Sequence, residues 1–380
     1  MRVAVVTESF LPTTNGVTNS VCKVLDHLAA QGHHAMVIAP DAGAPPSYAG
    51  FPVKRVPAIA YRQFPVGLPN RQVQRLLDDF APDVVHAASP FLLGAQALQA
   101  ARRSGVPSVA VFQTDIAGYT RRNHLSAMES FAWWAIRRIH LAADLTLVPS
   151  DASMADLTAA RIGPLARWGR GVDIETYHPR NRQDPVTAKL AERLRSGGRV
   201  VVGYVGRVAP EKQVERLAAL RGLDRMRLVV VGDGPSMPSL RRALRGMPVE
   251  YAGRLSGTAL ARAYASFDVF VHAGTEETFG QTVQEAHASG LPVVAPRAGG
   301  PIDLIDDGVD GFLFDPDSPG DASMRGAVAR LVADPELRSR FGEAGRRRVL
   351  TRTWSSICDE LLEHYEAAAE RRAARAATSR

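Results

Sequence analysis

The chain alternates short apolar, β-branched runs with amphipathic stretches, and it does so in two successive series. In the first half the runs are RVAVVT (2–7), AMVIAP (35–40), DVVHAA (83–88), SVAVFQ (108–113) and DLTLVPS (144–150). Helical patterns lie between them, such as 17–30, which ends at Gly32, and 90–104, which ends at Gly105-Val106-Pro107. The second series is RVVVGYVG (199–206), RLVVVG (227–232), PVEYAG (248–253), DVFVHA (268–273), PVVAP (292–296) and GFLF (311–314). Strands that alternate with helices predict right-handed βαβ units and parallel sheets. The expected fold class is therefore α/β, with two doubly wound, Rossmann-like domains. A chain of 380 residues also exceeds what one core comfortably holds. Periodicity fails over RWGRGVDIETYHPRNRQDP (167–185), which is rich in Gly, Pro and charge and reads as the boundary. From Trp354 to Arg380 the pattern is one long helix whose polar end is expected to fray.

Composition narrows the function classes. No stretch approaches the roughly 18 consecutive apolar residues of a membrane-spanning helix. The opening MRVAVVTESF reads as a strand rather than a signal peptide. Cys22 and Cys358 match no metal spacing and are too few for a disulfide scaffold, which places the protein in a reducing cytoplasm. A net charge of +7 admits phosphate-bearing partners, although an arginine-rich surface alone would give the same balance. Only four of the 46 basic residues are lysine (Lys23, Lys54, Lys189 and Lys212), so a lysine inside a motif stands out.

GTEETFGQTVQEAHASGLPVVAP (274–296) reads as a loop, a short helix stopped by Gly290 and the next strand. Gly280 and its neighbours then head a helix at the carboxyl end of a parallel strand. Free amides and the positive end of the helix dipole favour a phosphate or sugar oxygen there. Glu285 lies about one turn into the helix, within reach of vicinal hydroxyls, and Glu277 sits in the loop ahead of it. The alternative is that Glu276 and Glu277 only complement the dipole while Glu285 faces solvent.

In VGRVAPEKQ (205–213), Arg207 and Lys212 flank a Pro-containing turn that starts a helix, so both can converge on one anion. Pairing of Lys212 with Glu211 at the surface is the rival reading. FLPTTNGVTNS (10–20) offers a glycine turn at Gly16 before the first helix, without the G-x-G-x-x-G of a dinucleotide site. VVGDGPS (230–236) places Gly232 after a strand, a signal that a tight turn alone would also give, and YAGRLS (251–256) ends the next one, where the exposed backbone of Arg254 and Leu255 could read a base edge.

Taken together, Glu277-Thr-Phe-Gly…Glu285, the G-R-x(4)-K pattern at Gly206, Arg207 and Lys212, and the junction GVDIETYHP (171–179) resemble family 4 retaining glycosyltransferases of the GT-B fold. FQTDIAGYTRR and RWGRGVD are most similar to bacterial GDP-mannose-dependent α-mannosyltransferases acting on glycolipids. The resemblance implies an acceptor-binding domain over 1–168, a donor-binding domain over 169–354 and a terminal helix, 355–380, packing back on the first. It implies that Arg207 and Lys212 hold the diphosphate and stabilise the departing charge, and that Glu277 holds sugar hydroxyls. Gly206, Gly232 and the backbone of Phe279, Gly280, Gln281 and Thr282 would support diphosphate and sugar, with Glu285 on the ribose. Gly16 would close on the diphosphate from the other domain, and Gly253, Arg254 and Leu255 would bracket the base. No metal and no other cofactor is implied; Asp315-Pro316-Asp317 reads as a turn.

Many family members carry a histidine where this chain has Gln113, followed by Thr114 and Asp115. Gln113 can bind a hydroxyl but cannot act as an acid or base. Gln113, Asp115 and Tyr119 are thus candidates for acceptor or sugar positioning, and the leaving phosphate itself can take the acceptor proton. Trp133 and Trp134 lie beside Arg121, Arg122, Arg137 and Arg138, a pattern that suits an anionic membrane surface but more often marks a helix whose apolar side is core. The expected partners are GDP-mannose or another nucleotide sugar and a glycolipid acceptor; no nucleic acid is expected. Three rival readings remain. They are a UDP-sugar-dependent glucosyl- or sulfoquinovosyl-type transferase, an NAD-dependent oxidoreductase and a nucleic-acid-binding protein.

Overall fold

Every apolar run becomes a strand of a parallel sheet in the computed structural model, which describes residues 1–61, 64–67, 71–113 and 126–378. The chain divides into two units, Met1–Arg170 with Trp354–Arg380, and Gly171–Thr353. In the first, the strands β1 (Arg2–Thr7), β2 (His34–Pro40), β3 (Ser47–Tyr48), β4 (Phe51–Val56), β7 (Val84–Ala88), β8 (Ser108–Val111), β9 (Leu145–Val148) and β10 (Leu165–Arg167) form one sheet. Its order is β10-β9-β8-β7-β1-β2-β4-β3, and a separate hairpin pairs β5 (Ala58–Tyr61) with β6 (Phe64–Gly67). All pairings in the large sheet are parallel except β3 with β4.

The second unit holds β11 (Val200–Val205), β12 (Met226–Val231), β13 (Val249–Gly253), β14 (Val269–Val271), β15 (Val293–Pro296) and β16 (Gly311–Phe314). They run parallel in the order β13-β12-β11-β14-β15-β16. Strands this uniformly apolar need cover on both faces. Side chains of a strand alternate between faces, so Val3 and Val5 join Leu25, Ile357 and Leu361 in one layer while Ala4 and Val6 join Leu93 and Ala97 in the other. Likewise Leu228 and Val230 face one core of the second unit, and Val229 and Val231 face another.

The helix Trp354–Thr378 packs on the first sheet through Ile357, Cys358, Leu361, Tyr365 and Ala368. Burying each large apolar side chain of this set contributes roughly 1.5–3 kcal/mol. Trp168 Nε1 donates to the carbonyl of Ile357 at 2.8 Å, and the Tyr365 hydroxyl meets His86 Nδ1 at 2.8 Å.

Strand order reverses between β1 and β7 in one sheet and between β11 and β14 in the other. Ligands of open α/β sheets bind at the carboxyl ends of strands beside such a reversal. The structure departs from expectation in two places. The apolar runs do not announce β3, β4, β5, β6 or β10. Strand β4 reads FPVKRV, with Pro52, Lys54 and Arg55 exposed as suits a strand near a sheet edge. After β11 there is no α-helix but two 3-10 turns, Pro210–Lys212 and Val214–Leu220, separated by Gln213 at φ 47°. Asp115, Tyr119, Arg121 and Arg122 lie outside the described residues.

Candidate active site

Three adjacent strand ends of the second unit are stitched together by backbone. Gly206 N donates to Val231 O at 3.0 Å, Val208 N to Asp233 O at 3.0 Å, and Gly232 N to Gly253 O at 2.7 Å. The loops after β11, β12 and β13 therefore share one rim. Gly232 sits at φ 133°, and a Cβ there would lie 1.9 Å from Gly206 O, so no other residue fits the approach. Arg254 is exposed on this rim, while Leu255 packs partly against the core.

Beside this rim, at the β11/β14 reversal, Lys212 Nζ meets Glu277 Oε2 at 2.5 Å. Both side chains are largely covered, 24% and 19% exposed, so the pair is part-shielded from water. Gly274 brings the two loops into contact, because a Cβ there would lie 3.1 Å from Lys212 Cα. Arg207, whose carbonyl accepts from the Tyr204 hydroxyl at 3.0 Å, pairs instead with Glu211 at 3.3 Å. Glu211, the rival partner for Lys212, is taken by Arg207, and Lys212 faces Glu277. Burial pushes the His272 imidazole, in the loop after β14, down to about 4, which leaves it neutral at pH 7.

Glycine is required at position 280, where φ is 106° as the chain turns into the helix Gln281–Ala288. Among the described residues no side-chain cap is seen at this helix, whose N-cap is a glycine, so its first amides keep their capacity to donate. The Phe279 side chain is buried in the core, leaving only its backbone to the site. Gly300 N donates to Glu277 O at 2.7 Å and holds the loop from behind. Gln281 Nε2 donates to Gly171 O at 3.1 Å, tying the helix to the junction segment. Thr282 is partly exposed beside it.

Glu285 does not point freely into solvent: Tyr264 donates to its Oε2 at 2.8 Å, and the Tyr177 hydroxyl lies near enough to favour its charged form. Burial pushes this carboxyl up to about 7 against the downward pull of the two hydroxyls. A carboxyl whose folded pKa lies above its unfolded one favours the fold at low pH, and that contribution is lost as pH rises through the folded value. Glu285→Gln is therefore expected to raise Tm relative to the wild type above pH 7, with the gap closing toward pH 4–5, near the carboxyl's ordinary value. Thermal unfolding across that range checks it; an unchanging gap would contradict the assignment. Neither tyrosine was singled out in the sequence, since each is far from Glu285 along the chain.

In the first unit, Gly16 opens the helix Gly16–Ala30, capped by Asn15 Oδ1 accepting from Val17 N and Thr18 N at 3.0 Å each. The Arg170 guanidinium lies against Gly16, with Nη1 2.7 Å from where a Cβ would stand. Arg170 Nη2 donates to Gln113 Oε1 at 2.7 Å. Arg170 was visible in RWGRGVD, but nothing in its spacing linked it to Gln113. At the β1/β7 reversal, Glu8 Oε1 accepts from Phe91 N and Gly94 N at 2.9 Å each. Burial raises its pKa, and those amides pull it back. No group of three or more metal-ligating side chains occurs among the described residues.

Residues 14–176 match the family described as Glycosyltransferase Family 4, and residues 187–348 match Glycosyl transferases group 1. The chain is 50% identical to a GDP-mannose-dependent alpha-mannosyltransferase of Mycolicibacterium smegmatis, over 99% of this chain and 100% of that one. It is 47% identical to a Mycobacterium tuberculosis protein of the same description, over 99% of each. Sucrose-phosphate synthase from Thermosynechococcus elongatus superposes with a TM-score of 0.80 at 20% identity, covering 96% of this chain and 98% of that one.

Proposed function

We propose, from the premise that this chain belongs to glycosyltransferase family 4, that it moves mannose from GDP-mannose to a hydroxyl of a lipid-linked or glycan acceptor, forming an α-linkage with retention. The single observation that carries this reading is the Lys212–Glu277 pair set beside the uncapped head of the Gly280 helix at a strand-order reversal. Support for mannose and guanosine comes from the relatives' descriptions rather than from any one side chain.

In the proposed reaction the bond between mannose C1 and the β-phosphate oxygen breaks, and its electron pair stays with the phosphate. The acceptor oxygen bonds C1 from the same face and gives its proton to that leaving phosphate oxygen. Lys212, Arg207 and the amides of Gly280, Gln281 and Thr282 would stabilise the charge that grows on the diphosphate. Glu277 would turn from Lys212 toward mannose hydroxyls when the phosphate takes over the ammonium. Glu285 would accept from the ribose, with Tyr264 and Tyr177 fixing its position. Gly206, Gly232, Gly253, Arg254 and Leu255 would form the rim under the nucleoside. On the acceptor unit, Gln113 and Arg170 are the polar groups we assign to positioning. Incubation with labelled GDP-mannose, UDP-glucose and a membrane lipid extract tests the reading: label should enter lipid from GDP-mannose and not from UDP-glucose.

No helix among the described residues is long and apolar enough to cross a membrane. We assign surface contact with lipid to the helix Ser126–His140. Trp133 packs inward against Ile136 and Leu157, whereas Phe131 and Trp134 stack on each other at 5.5 Å and are 64% and 55% exposed. Arg138 lies over the Trp134 ring at 5.5 Å, and Arg137 is exposed alongside. Exposed aromatic rings with adjoining guanidiniums match an anionic headgroup layer. Replacing Phe131 and Trp134 by alanine is expected to cut sedimentation with phosphatidylglycerol vesicles at least tenfold while Tm stays unchanged. Undiminished sedimentation would remove the assignment.

A further inference from the structure

The second unit contains a cavity of about 490 Å³ that the proposed reaction does not use. Its wall includes Asp268 and Pro292, which immediately precede β14 and β15, so it opens at the amino edge of the sheet. The Lys212–Glu277 pair stands at the carboxyl edge of the same sheet. A strand of four residues such as β15 spans roughly 13 Å, so the two places are separated by the length of the strands between the two edges.

Four guanidiniums line the cavity, those of Arg182, Arg338, Arg346 and Arg347, against the carboxylates of Asp268 and Glu343. Asp268 is already engaged: Arg195 holds it with both Nε and Nη2, and Val201 N donates to it at 2.8 Å. Glu343 accepts from Ser339 at 3.2 Å and reaches Arg347 only at 4.0 Å, on an exposed surface. Arg346 spends its donors on the carbonyls of Tyr177, Ala288 and Ile174, and Arg338 on those of Leu331 and Val332. Carbonyl dipoles offset the positive charge only in part, and among the described residues Glu175 is the one carboxylate that acts on Arg346. Arg182 forms no ion pair or hydrogen bond among the described residues.

We propose that this cavity binds a phosphorylated small molecule at a site distinct from that of the nucleotide sugar. Its volume falls in the range of roughly 300–1,000 Å³ typical of small-molecule sites, well beyond a lone phosphate. The prolines at 179, 292 and 335 supply rigid apolar walls for the non-phosphate part. Arg182 and Arg347 provide the charge that an incoming phosphate would take up, while Arg338 and Arg346 are held in place by their carbonyls.

Calorimetric titration of the full-length protein with inorganic pyrophosphate at low ionic strength tests the site. The wild type is expected to bind two equivalents, of which saturating GDP displaces one. The variant carrying Arg182→Ala and Arg347→Ala is expected to keep the GDP-displaceable equivalent and to bind the other at least tenfold more weakly, with GDP affinity unchanged. Both equivalents surviving in that variant overturns the proposal, as does wild-type protein that binds none, or only one that GDP displaces. A single equivalent that GDP leaves in place and the double variant abolishes supports the cavity and, separately, counts against the donor site. Unchanged GDP affinity also shows that the variant is folded.

Discussion

Replacing Lys212 by alanine is expected to lower kcat for mannosyl transfer from GDP-mannose by about a hundredfold to a thousandfold, the usual effect of removing one preorganised charge donor. The argument rests on where the ammonium sits. It is held 2.5 Å from Glu277 at the carboxyl edge of the sheet, beside amides that no side chain caps. Charge accumulates on the departing diphosphate only as the sugar bond breaks, so a fixed cation there acts more on the transition state than on bound donor. A purely structural ion pair would behave differently. Loss of one partner would then lower Tm, and Lys212→Met combined with Glu277→Gln would restore both stability and turnover. The account expects that double variant to regain stability yet stay inactive, while Lys212→Arg retains part of the rate. Turnover unchanged in Lys212→Ala would refute the role.

Gly232→Ala is expected to destabilise the second unit far more than Gly253→Ala, a glycine substitution on the same rim. The backbone there lies at φ 133°, which side chains rarely adopt, and strain of that kind costs of order 1–3 kcal/mol. The added Cβ would also stand 1.9 Å from the carbonyl oxygen of Gly206, a residue whose amide is tied down by donating to Val231 O. Relief requires the β11 and β12 loops to part, which takes the rim proposed to lie under the nucleoside with it. Gly253→Ala supplies the comparison: φ is 67° and nothing lies within 4 Å, so only the left-handed backbone penalty of about 1–2 kcal/mol applies. Thermal unfolding and GDP titration of both variants separate the cases. Equal losses in the two would show that the contact with Gly206 does not matter.

The parallel strands were legible because their residues are apolar on both faces, as RVAVVT and RLVVVG illustrate, and both doubly wound sheets formed as expected. FPVKRV escaped because an edge strand can carry charge, and LAR at 165–167 is too short to show a period. The turn at Gln213 was hidden for a different reason, since the left-handed backbone of a glutamine leaves no mark in composition. Local patterns named Lys212, Glu277 and Glu285 but not their surroundings. Tyr264 and Tyr177 reach Glu285 through tertiary packing, and Arg170 reaches Gln113 from 57 positions along the chain. Sequence spacing marks groups on one loop; it cannot show what the fold brings to them from another strand end.

A crystal structure of the full chain with GDP bound tests the central claim most directly. The account predicts β-phosphate oxygens within hydrogen-bond distance of Lys212 Nζ and of the amides at 280–282, with ribose hydroxyls on Glu285. Diphosphate bound elsewhere, with Lys212 still paired to Glu277, would contradict it.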